Sequence, residues 1–101
     1  MTTQPGYLYI LQNDRGRYYV GSCVDPSRRL TEHQRGSVTA TASKGPWQRV
    51  ALLRLASPTA ARKAEYWLKR LRDRRLTEMI IANTFQWPER FGKVIPVDHA
   101  Y

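Results

Sequence analysis

With 101 residues, the chain is long enough for one modest hydrophobic core and too short for two domains of ordinary size. Its 17 Lys and Arg residues outnumber 8 Asp and Glu and give a net charge of +9, which indicates a polyanionic partner, because cationic side chains release the counterions condensed on nucleic-acid phosphates. The alternative is a soluble basic protein whose charge prevents self-association. The single cysteine excludes an intrachain disulfide and a thiolate zinc cluster.

Nothing in the sequence indicates export or membrane insertion. The N-terminus lacks a charged start followed by a long apolar run, and no segment approaches the roughly 18 apolar residues that suggest a membrane span. We therefore expect a cytoplasmic protein. Because the chain shows no internal repeat and no second domain, we predict one domain over residues 1–101.

The first predicted element is an antiparallel β-hairpin. Two runs rich in aromatic and β-branched residues, 7–12 and 17–22, flank residues 13–16, which are of the types that tight turns use. Period-two alternation lines one face of this hairpin with phenols. Tyr9 and Tyr19 would ordinarily be interpreted as half-buried packing residues with solvated hydroxyls.

A helix follows the hairpin directly. Asp25 is a predicted N-cap with Pro26 at the first helical position, and Gly36 ends the helix. Arg29 and His33 are four residues apart and lie one turn apart on the same helical face. Alone, they would be a solvated arginine and a histidine stabilised by the helix dipole. Beside the phenols they offer a base and a fixed cation, which phosphodiester hydrolysis needs.

Residues 37–45 form a loop of small, hydroxyl and basic residues. Thr41 and Lys44 could contact a phosphate backbone there, or the loop could be an ordinary surface connection. Residues 47–55 are dense in apolar side chains and predict a third, buried strand, with Trp47 in the core.

A basic amphipathic helix begins after the N-cap Ser57. Glu65 lies at the margin of its apolar stripe, where it could simply form an i, i+4 salt bridge with Lys69. One more short helix is predicted over residues 76–81. Asn83 follows it and is more readily a helix C-cap than a phosphate contact. The remaining segment should be irregular, with His99 in solvent. The predicted apolar stripe of the basic helix consists of Ala60, Ala64, Trp67, Leu68 and Leu71.

The paired tripeptides Tyr7-Leu8-Tyr9 and Tyr19-Val20-Gly21, followed by Arg29, His33 and Glu65, resemble the GIY-YIG nuclease superfamily. The chain is most similar to the small single-domain bacterial members related to the nuclease domain of excinuclease C. This resemblance covers about residues 6–72. The sequence departs from the family pattern in two modest ways. Tyr7 stands where the first tripeptide of the family has the glycine of GIY, and Ser22 stands where some relatives carry lysine.

The resemblance implies an α+β fold (an α/β sandwich), with a small three-stranded antiparallel sheet flanked by helices. It also implies a metal-dependent DNA endonuclease, structure-selective or weakly sequence-selective, that acts in DNA repair or recombination. Branched or single-stranded DNA would be the substrate, and a protein partner could direct the cutting. A nucleic-acid-binding module without cleavage, on the same scaffold, is the main alternative, and an RNA-directed protein is a weaker one.

The implied catalytic residues are Tyr9, Tyr19, Arg29, His33 and Glu65. Tyr19, assisted by His33 through a hydrogen bond or a shared water, would act as the general base, and Tyr9 would orient water or phosphate. Arg29 would stabilise the transition state, and Glu65 would bind one Mg²⁺ or Mn²⁺ ion. The expected contacts to the nucleic acid are Gly21, Arg28, Thr41, Lys44, Lys69 and Asn83.

Overall fold

The computed structural model describes residues 4–97. It has a four-stranded antiparallel sheet with helices on both faces, which confirms the α+β class and adds a short strand to the three expected. The strands, in the spatial order β2, β1, β3, β4, are β1 Gly6–Asn13, β2 Tyr18–Cys23, β3 Trp47–Leu55 and β4 Ile95–Pro96. The helices are α1 Pro26–Gln34, α2 Pro58–Leu71 and α3 Arg74–Ile81, with a 3-10 turn at Glu89–Phe91.

Alternation along the strands divides the core into two clusters. On one face, Leu8 and Ile10 of β1 belong to the same buried cluster as Ala61, Ala64 and Leu68 of α2. On the other face, Tyr9 and Leu11 form a second cluster with Trp47 and Leu52, against which Leu30 of α1 packs. The sheet therefore separates α1 from α2, and residues that must meet across it can do so only around a sheet edge.

The hairpin register places the two phenols on the same face. Tyr9 pairs with Gly21, and Leu11 pairs with Tyr19. Tyr9 and Tyr19 are therefore diagonal neighbours on adjacent strands. The turn is held by Asn13, whose side-chain oxygen accepts hydrogen bonds from the backbone N–H groups of Arg15 (3.1 Å) and Arg17 (2.8 Å). Because β2 lies at the edge of the sheet, Tyr19 is near its border.

Side-chain caps define where the helices begin. Asp25 accepts from the N–H of Arg28 and Ser57 from that of Ala60, as the sequence predicts. Helix α2 ends at Leu71, and Arg72 adopts a left-handed conformation (φ 49°, ψ 39°) before α3 begins. Leu71 was expected to be buried, but it is 46% exposed because the chain leaves the helix there, and Ala61 is buried instead.

The C-terminal segment is largely irregular, as expected, but it adds β4 to the sheet. An aromatic cluster of Trp67, Phe85, Trp87 and Phe91 attaches this segment to α2. The prediction for His99 lies outside the described residues. Among residues 4–97, no helix is both long and apolar enough to cross a bilayer.

Candidate active site

A buried hydrogen bond joins the first phenol to the imidazole of α1. The hydroxyl of Tyr9 lies 2.7 Å from Nε2 of His33, and the two residues are 3% and 2% exposed. Two residues connect β2 to helix α1, which packs on the phenol face of the sheet with its last turn over β1. The structure thus brings together two predicted site residues that are 24 positions apart.

Thr41 contacts the other nitrogen of the same ring. Its hydroxyl lies 2.7 Å from Nδ1 of His33 and can donate to the backbone carbonyl of Val38, 3.4 Å away. A hydroxyl that donates to a carbonyl accepts the Nδ1 proton, so the neutral imidazole presents an unprotonated Nε2 to the hydroxyl of Tyr9. Thr41, which was expected to contact phosphate, is 1% exposed, and its hydroxyl positions the imidazole in this structure. Its contact with phosphate stays a prediction.

Burial controls the protonation of both partners. It raises the pKa of Tyr9 to about 12, and the hydrogen bond from Arg29 offsets this only in part. Burial, together with the positive charge of Arg29, lowers the pKa of His33 below its ordinary value of 6.5. At neutral pH the pair is therefore a protonated phenol facing a neutral imidazole that can accept its proton.

Arg29 is the cation of this cluster. Its Nε donates to the hydroxyl of Tyr9 at 3.3 Å, and its Nη1 donates to Glu32 at 3.0 Å. The guanidinium is partly exposed, so it connects the buried phenol to solvent. Together with the His33 contact, this means that one phenol oxygen is held between a cation and a potential base.

Tyr19 packs against the cluster without a hydrogen bond to the imidazole. Its ring centroid lies 5.2 Å from that of His33 and 6.4 Å from that of Tyr9. Both nitrogens of His33 are engaged by Tyr9 and Thr41, so the direct assistance of His33 to Tyr19 that the sequence suggested is made to Tyr9 instead.

Glu65 of α2 lies beside the edge strand β2, on the α2 face of the sheet. Its carboxylate accepts from the hydroxyl of Ser22 at 2.5 Å and from Nζ of Lys69 at 2.6 Å. The same ammonium lies 5.1 Å from the ring centroid of Tyr19. Glu65 and Tyr19 are therefore linked through one cation at the sheet edge. The simple i, i+4 salt bridge considered for Glu65 is present, and the Ser22 contact adds a second partner.

The arrangement of acidic side chains suits a metal ion that keeps most of its water ligands better than an ion coordinated mainly by protein side chains. Among residues 4–97, no three His, Cys, Asp or Glu side chains converge on one point. Glu65 is the carboxylate that pairs with Lys69, whose ammonium lies near Tyr19, and it is partly buried. Mg²⁺ keeps several water ligands and is commonly held by one or two carboxylates plus substrate phosphates. The carboxylate of Glu65 fits such an ion. In this structure the ammonium of Lys69 is the cation that pairs with that carboxylate.

The remaining predicted nucleic-acid contacts are scattered. Arg28 is exposed and pairs with Glu32 at 3.4 Å, and Lys44 is exposed in the loop before β3. The C-cap of α3 is Ala82, and Asn83 is the next residue, with a left-handed φ of 60° that is common just after a helix C-cap. Asn83 also lines a pocket with residues of β3 and β4. This pocket does not include Tyr9 or His33, and the contact of Asn83 with nucleic acid stays a prediction.

Gly21 was expected to contact the nucleic acid, and in the structure it packs against Tyr9. A Cβ built on Gly21 would collide with the ring and hydroxyl of Tyr9. Gly21 pairs with Tyr9 in the hairpin and is itself buried. The structure thus ties Gly21 to the placement of the phenol, because the absent side chain is the space in which the ring of Tyr9 lies.

These elements lie within one family domain. The model of the GIY-YIG catalytic domain matches residues 5–78, which include the hairpin, α1, β3 and α2. The chain belongs to the GIY-YIG family, which confirms the resemblance. The narrower kinship with excinuclease C stays a prediction.

Individual relatives are of two kinds. The chain is 38% identical over 81 residues to the structure-specific endonuclease subunit SLX1 of Rattus norvegicus, covering 72% of this chain but 30% of that protein. It is 32% identical over 75 residues to a UPF0213 protein of Halalkalibacterium halodurans, covering 73% of this chain and 80% of that protein. The solution NMR structure of a UPF0213 protein from Bacillus halodurans superposes with a TM-score of 0.50 at 32% identity, over 78% of this chain and 84% of that one.

Proposed function

We propose that this protein is a divalent-metal-dependent endonuclease that hydrolyses phosphodiester bonds in DNA. The observation that carries the proposal is the hydrogen-bonded group of Tyr9, His33 and Arg29 inside a GIY-YIG catalytic domain. That group combines a proton acceptor with a fixed cation, and the net charge of +9 suits a polyanionic substrate.

Proton transfer begins at Tyr9. The attacking water gives its proton to the oxygen of Tyr9 while the phenol passes its own proton to Nε2 of His33, so His33 becomes an imidazolium and the phenol is neutral at the end of the step. Direct ionisation of Tyr9 near neutral pH is unfavourable because its pKa is about 12. The histidine removes this obstacle, and Thr41 keeps its accepting nitrogen directed at the phenol.

Arg29 and Tyr19 act on the phosphate. The guanidinium can donate to the non-bridging oxygens as negative charge develops on them, which stabilises the transition state. Tyr19, next to Lys69 at the sheet edge, orients the scissile phosphate or the attacking water. This division of roles exchanges the tasks that the sequence suggested for the two phenols, because the hydrogen bond of His33 is made with Tyr9.

Glu65 would hold the metal ion. When bound, Mg²⁺ or Mn²⁺ neutralises charge on the phosphate and stabilises the leaving oxygen. Glu65 supplies one oxygen ligand, and the hydroxyl of Ser22 fixes the orientation of that carboxylate. Because Lys69 pairs with the same carboxylate, its ammonium must move or share the site when the ion binds.

Structure-selective cleavage in DNA repair or recombination is supported by the name of the SLX1 relatives, which describes a structure-specific endonuclease subunit. Because those relatives are named as subunits, they support a protein partner as well. The chain spans only 30% of the length of these relatives, so substrate choice and partner are carried over as parts of this proposal. A cytoplasmic location is part of the same proposal.

The proposal is tested with purified protein and labelled branched, single-stranded and duplex DNA, and with a matched RNA. Each substrate is incubated with Mg²⁺, with Mn²⁺ or with chelator, using wild type beside Glu65→Gln and Tyr9→Phe. We expect cleavage of DNA that needs the metal and both side chains. Binding without cleavage under every condition would favour the non-catalytic binding module, and preferential cutting of RNA would favour the RNA-directed alternative.

A further inference from the structure

A second concave surface lies outside the Tyr9 and His33 cluster. It is a groove of about 390 Å³ between the hairpin and the corner where α2 meets α3. Tyr18 and Tyr19 of β2 line one side, and Leu68 lies at its apolar base. We call this the corner groove. Its cationic lining consists of Arg17, Lys69, Arg72 and Arg74.

We propose that the corner groove binds the phosphodiester backbone of the DNA strand that flanks the scissile phosphate. This inference rests on the proposed function for the identity of the strand, and it assigns a binding site that the catalytic residues do not require. Lys69 and Arg74 pair with Glu65 at 2.6 Å and with Glu78 at 3.4 Å, whereas among residues 4–97 no ion pair is described for Arg17 or Arg72. A groove with this excess of positive charge suits a polyanionic backbone, since each neutralised phosphate releases counterions.

The corner groove is continuous with the candidate active site. Tyr19 and Lys69 line the groove, and the ring of Tyr19 also packs against His33. Nζ of Lys69 lies 5.1 Å from the ring centroid of Tyr19. A strand whose scissile phosphate lies beside Tyr19 would therefore meet the cations of the groove with its neighbouring phosphates.

Arg72 lines the groove, and the local backbone structure does not explain why this residue is an arginine. It adopts a left-handed backbone conformation at the end of α2, a position that favours glycine or asparagine. The equivalent left-handed residue after α3 is Asn83, which tolerates that conformation. Arg72 is therefore an exposed arginine in a backbone conformation that strains a residue with a side chain, and an electrostatic role in the groove would account for an arginine at this position.

Arg74 is held at the mouth of the groove. Its Nη1 donates to the carbonyl of Gly16 at 3.0 Å, and its guanidinium lies 4.5 Å from the ring centroid of Tyr18. These contacts attach α3 to the hairpin turn and fix a positive charge between them. Asp73 also lines the groove, but its carboxylate caps α3 by accepting from the N–H of Leu76, which reduces its repulsion of an anion.

The test uses the left-handed geometry of Arg72. Arg72→Gly removes the charge and relieves the strained backbone, whereas Arg72→Lys keeps the charge and the strain. Arg54→Gln is the matched charge control, because Arg54 is exposed on β3 beside β4, away from the groove. Each change is made in a Tyr9→Phe background, and binding of a short fluorescein-labelled duplex is measured in chelator from about 50 to 200 mM salt.

We expect Arg72→Gly to weaken binding several-fold and to reduce the slope of log K against log salt by about 0.9, the loss of one phosphate contact. Arg72→Lys and Arg54→Gln should retain the parent slope, and Arg72→Gly should melt at or above the parent temperature. Equal effects of Arg72→Gly and Arg54→Gln, no effect of Arg72→Gly, or no binding by the parent would overturn the inference.

The two proposals fail separately. If wild type cleaves DNA with metal but Arg72→Gly binds as the parent does, the corner groove is wrong and the nuclease stands. If wild type cleaves nothing while Arg72→Gly alone loses affinity and salt dependence, the groove stands as a nucleic-acid-binding site and the nuclease assignment fails.

Discussion

The hydroxyl of Tyr9 and Nε2 of His33 are 2.7 Å apart, and the two residues are 3% and 2% exposed. The distance is that of a strong hydrogen bond, and each partner has a further contact that fixes its direction. Arg29 donates to the phenol, and Thr41 lies against the far nitrogen of the imidazole. The pair is therefore oriented before any substrate arrives, which is how a fold lowers the cost of reaching a reactive geometry.

The hydroxyl of Thr41 should matter for stability and for catalysis. Thr41→Val leaves Nδ1–H of His33 buried without an acceptor, which should cost about 1–3 kcal/mol of unfolding free energy. It should also slow cleavage, because the imidazole tautomer is no longer fixed. Thr41→Ser keeps the hydroxyl and should retain most of both. Urea unfolding and single-turnover cleavage measure the two effects, and equal behaviour of the valine and serine variants would contradict the assigned role.

Gly21 should be intolerant of even one methyl group. Gly21→Ala places a Cβ against the ring of Tyr9, and overpacking of this kind should destabilise the protein by about 1–3 kcal/mol. In a Tyr9→Ala background the colliding ring is gone, so the same change should cost little. A double-mutant cycle in urea tests this coupling. Identical losses in the two backgrounds would show that Gly21 is constrained by something other than the phenol.

Acid should weaken both folding and cleavage through His33. Its folded-state pKa lies below the ordinary 6.5, so at pH values between the two the unfolded chain binds a proton that the folded chain does not. Stability is therefore fully present above 6.5 and declines as the pH falls from there toward the folded-state pKa. Cleavage should fall as the imidazole protonates at its lowered pKa, because it can then no longer accept the proton of Tyr9.

Denaturant unfolding of wild type and His33→Gln at a series of pH values measures the first effect. The difference in unfolding free energy between the two should shrink on acidification below 6.5. A constant difference across that range would indicate that His33 titrates alike in the folded and unfolded chains. The pH profile of the cleavage rate of wild type measures the second effect.

Glu65→Gln should separate metal binding from folding. The partly exposed ion pair with Lys69 contributes only about 0.3–0.5 kcal/mol, and the amide oxygen of glutamine can still accept from Ser22, so the variant should unfold nearly as wild type does. Metal-supported cleavage should fall by at least about 100-fold, since a metal ion contributes several kcal/mol to such a transition state. Glu89→Gln, at an exposed glutamate in the C-terminal segment, is the control. Full metal-dependent activity in Glu65→Gln would remove Glu65 as the ligand.

Local chemistry explains what could be predicted from the sequence. The turn residues after β1, the caps Asp25 and Ser57, and the one-turn spacing of Arg29 and His33 are short-range features, so hairpin and helices follow from them. Strand β4 was missed because two residues carry no periodicity. The left-handed end of α2 at Arg72 was also missed, since arginine there gives no signal for that conformation.

The partners within the site depend on how loops and faces meet. Thr41 reaches His33 only because the loop after α1 folds back on the helix, and no spacing rule predicts that contact. Ser22 and Glu65 are 43 residues apart and meet where α2 packs on the edge strand β2. The sequence predicted which chemical groups would gather, whereas the pairing of His33 with Tyr9 rather than Tyr19 required the three-dimensional arrangement.

Within residues 4–97, the two borders of the sheet are unequal. One border is the two-residue strand β4, which lacks one N–H donor because it includes Pro96. The other border is the six-residue strand β2, which contains Tyr19 and contacts Glu65 through Ser22. A second polypeptide that extended the sheet would therefore add at β2 and cover the phenol on its border. Self-association by strand addition would mask the reaction centre, so turnover per molecule should decline wherever such pairing is promoted.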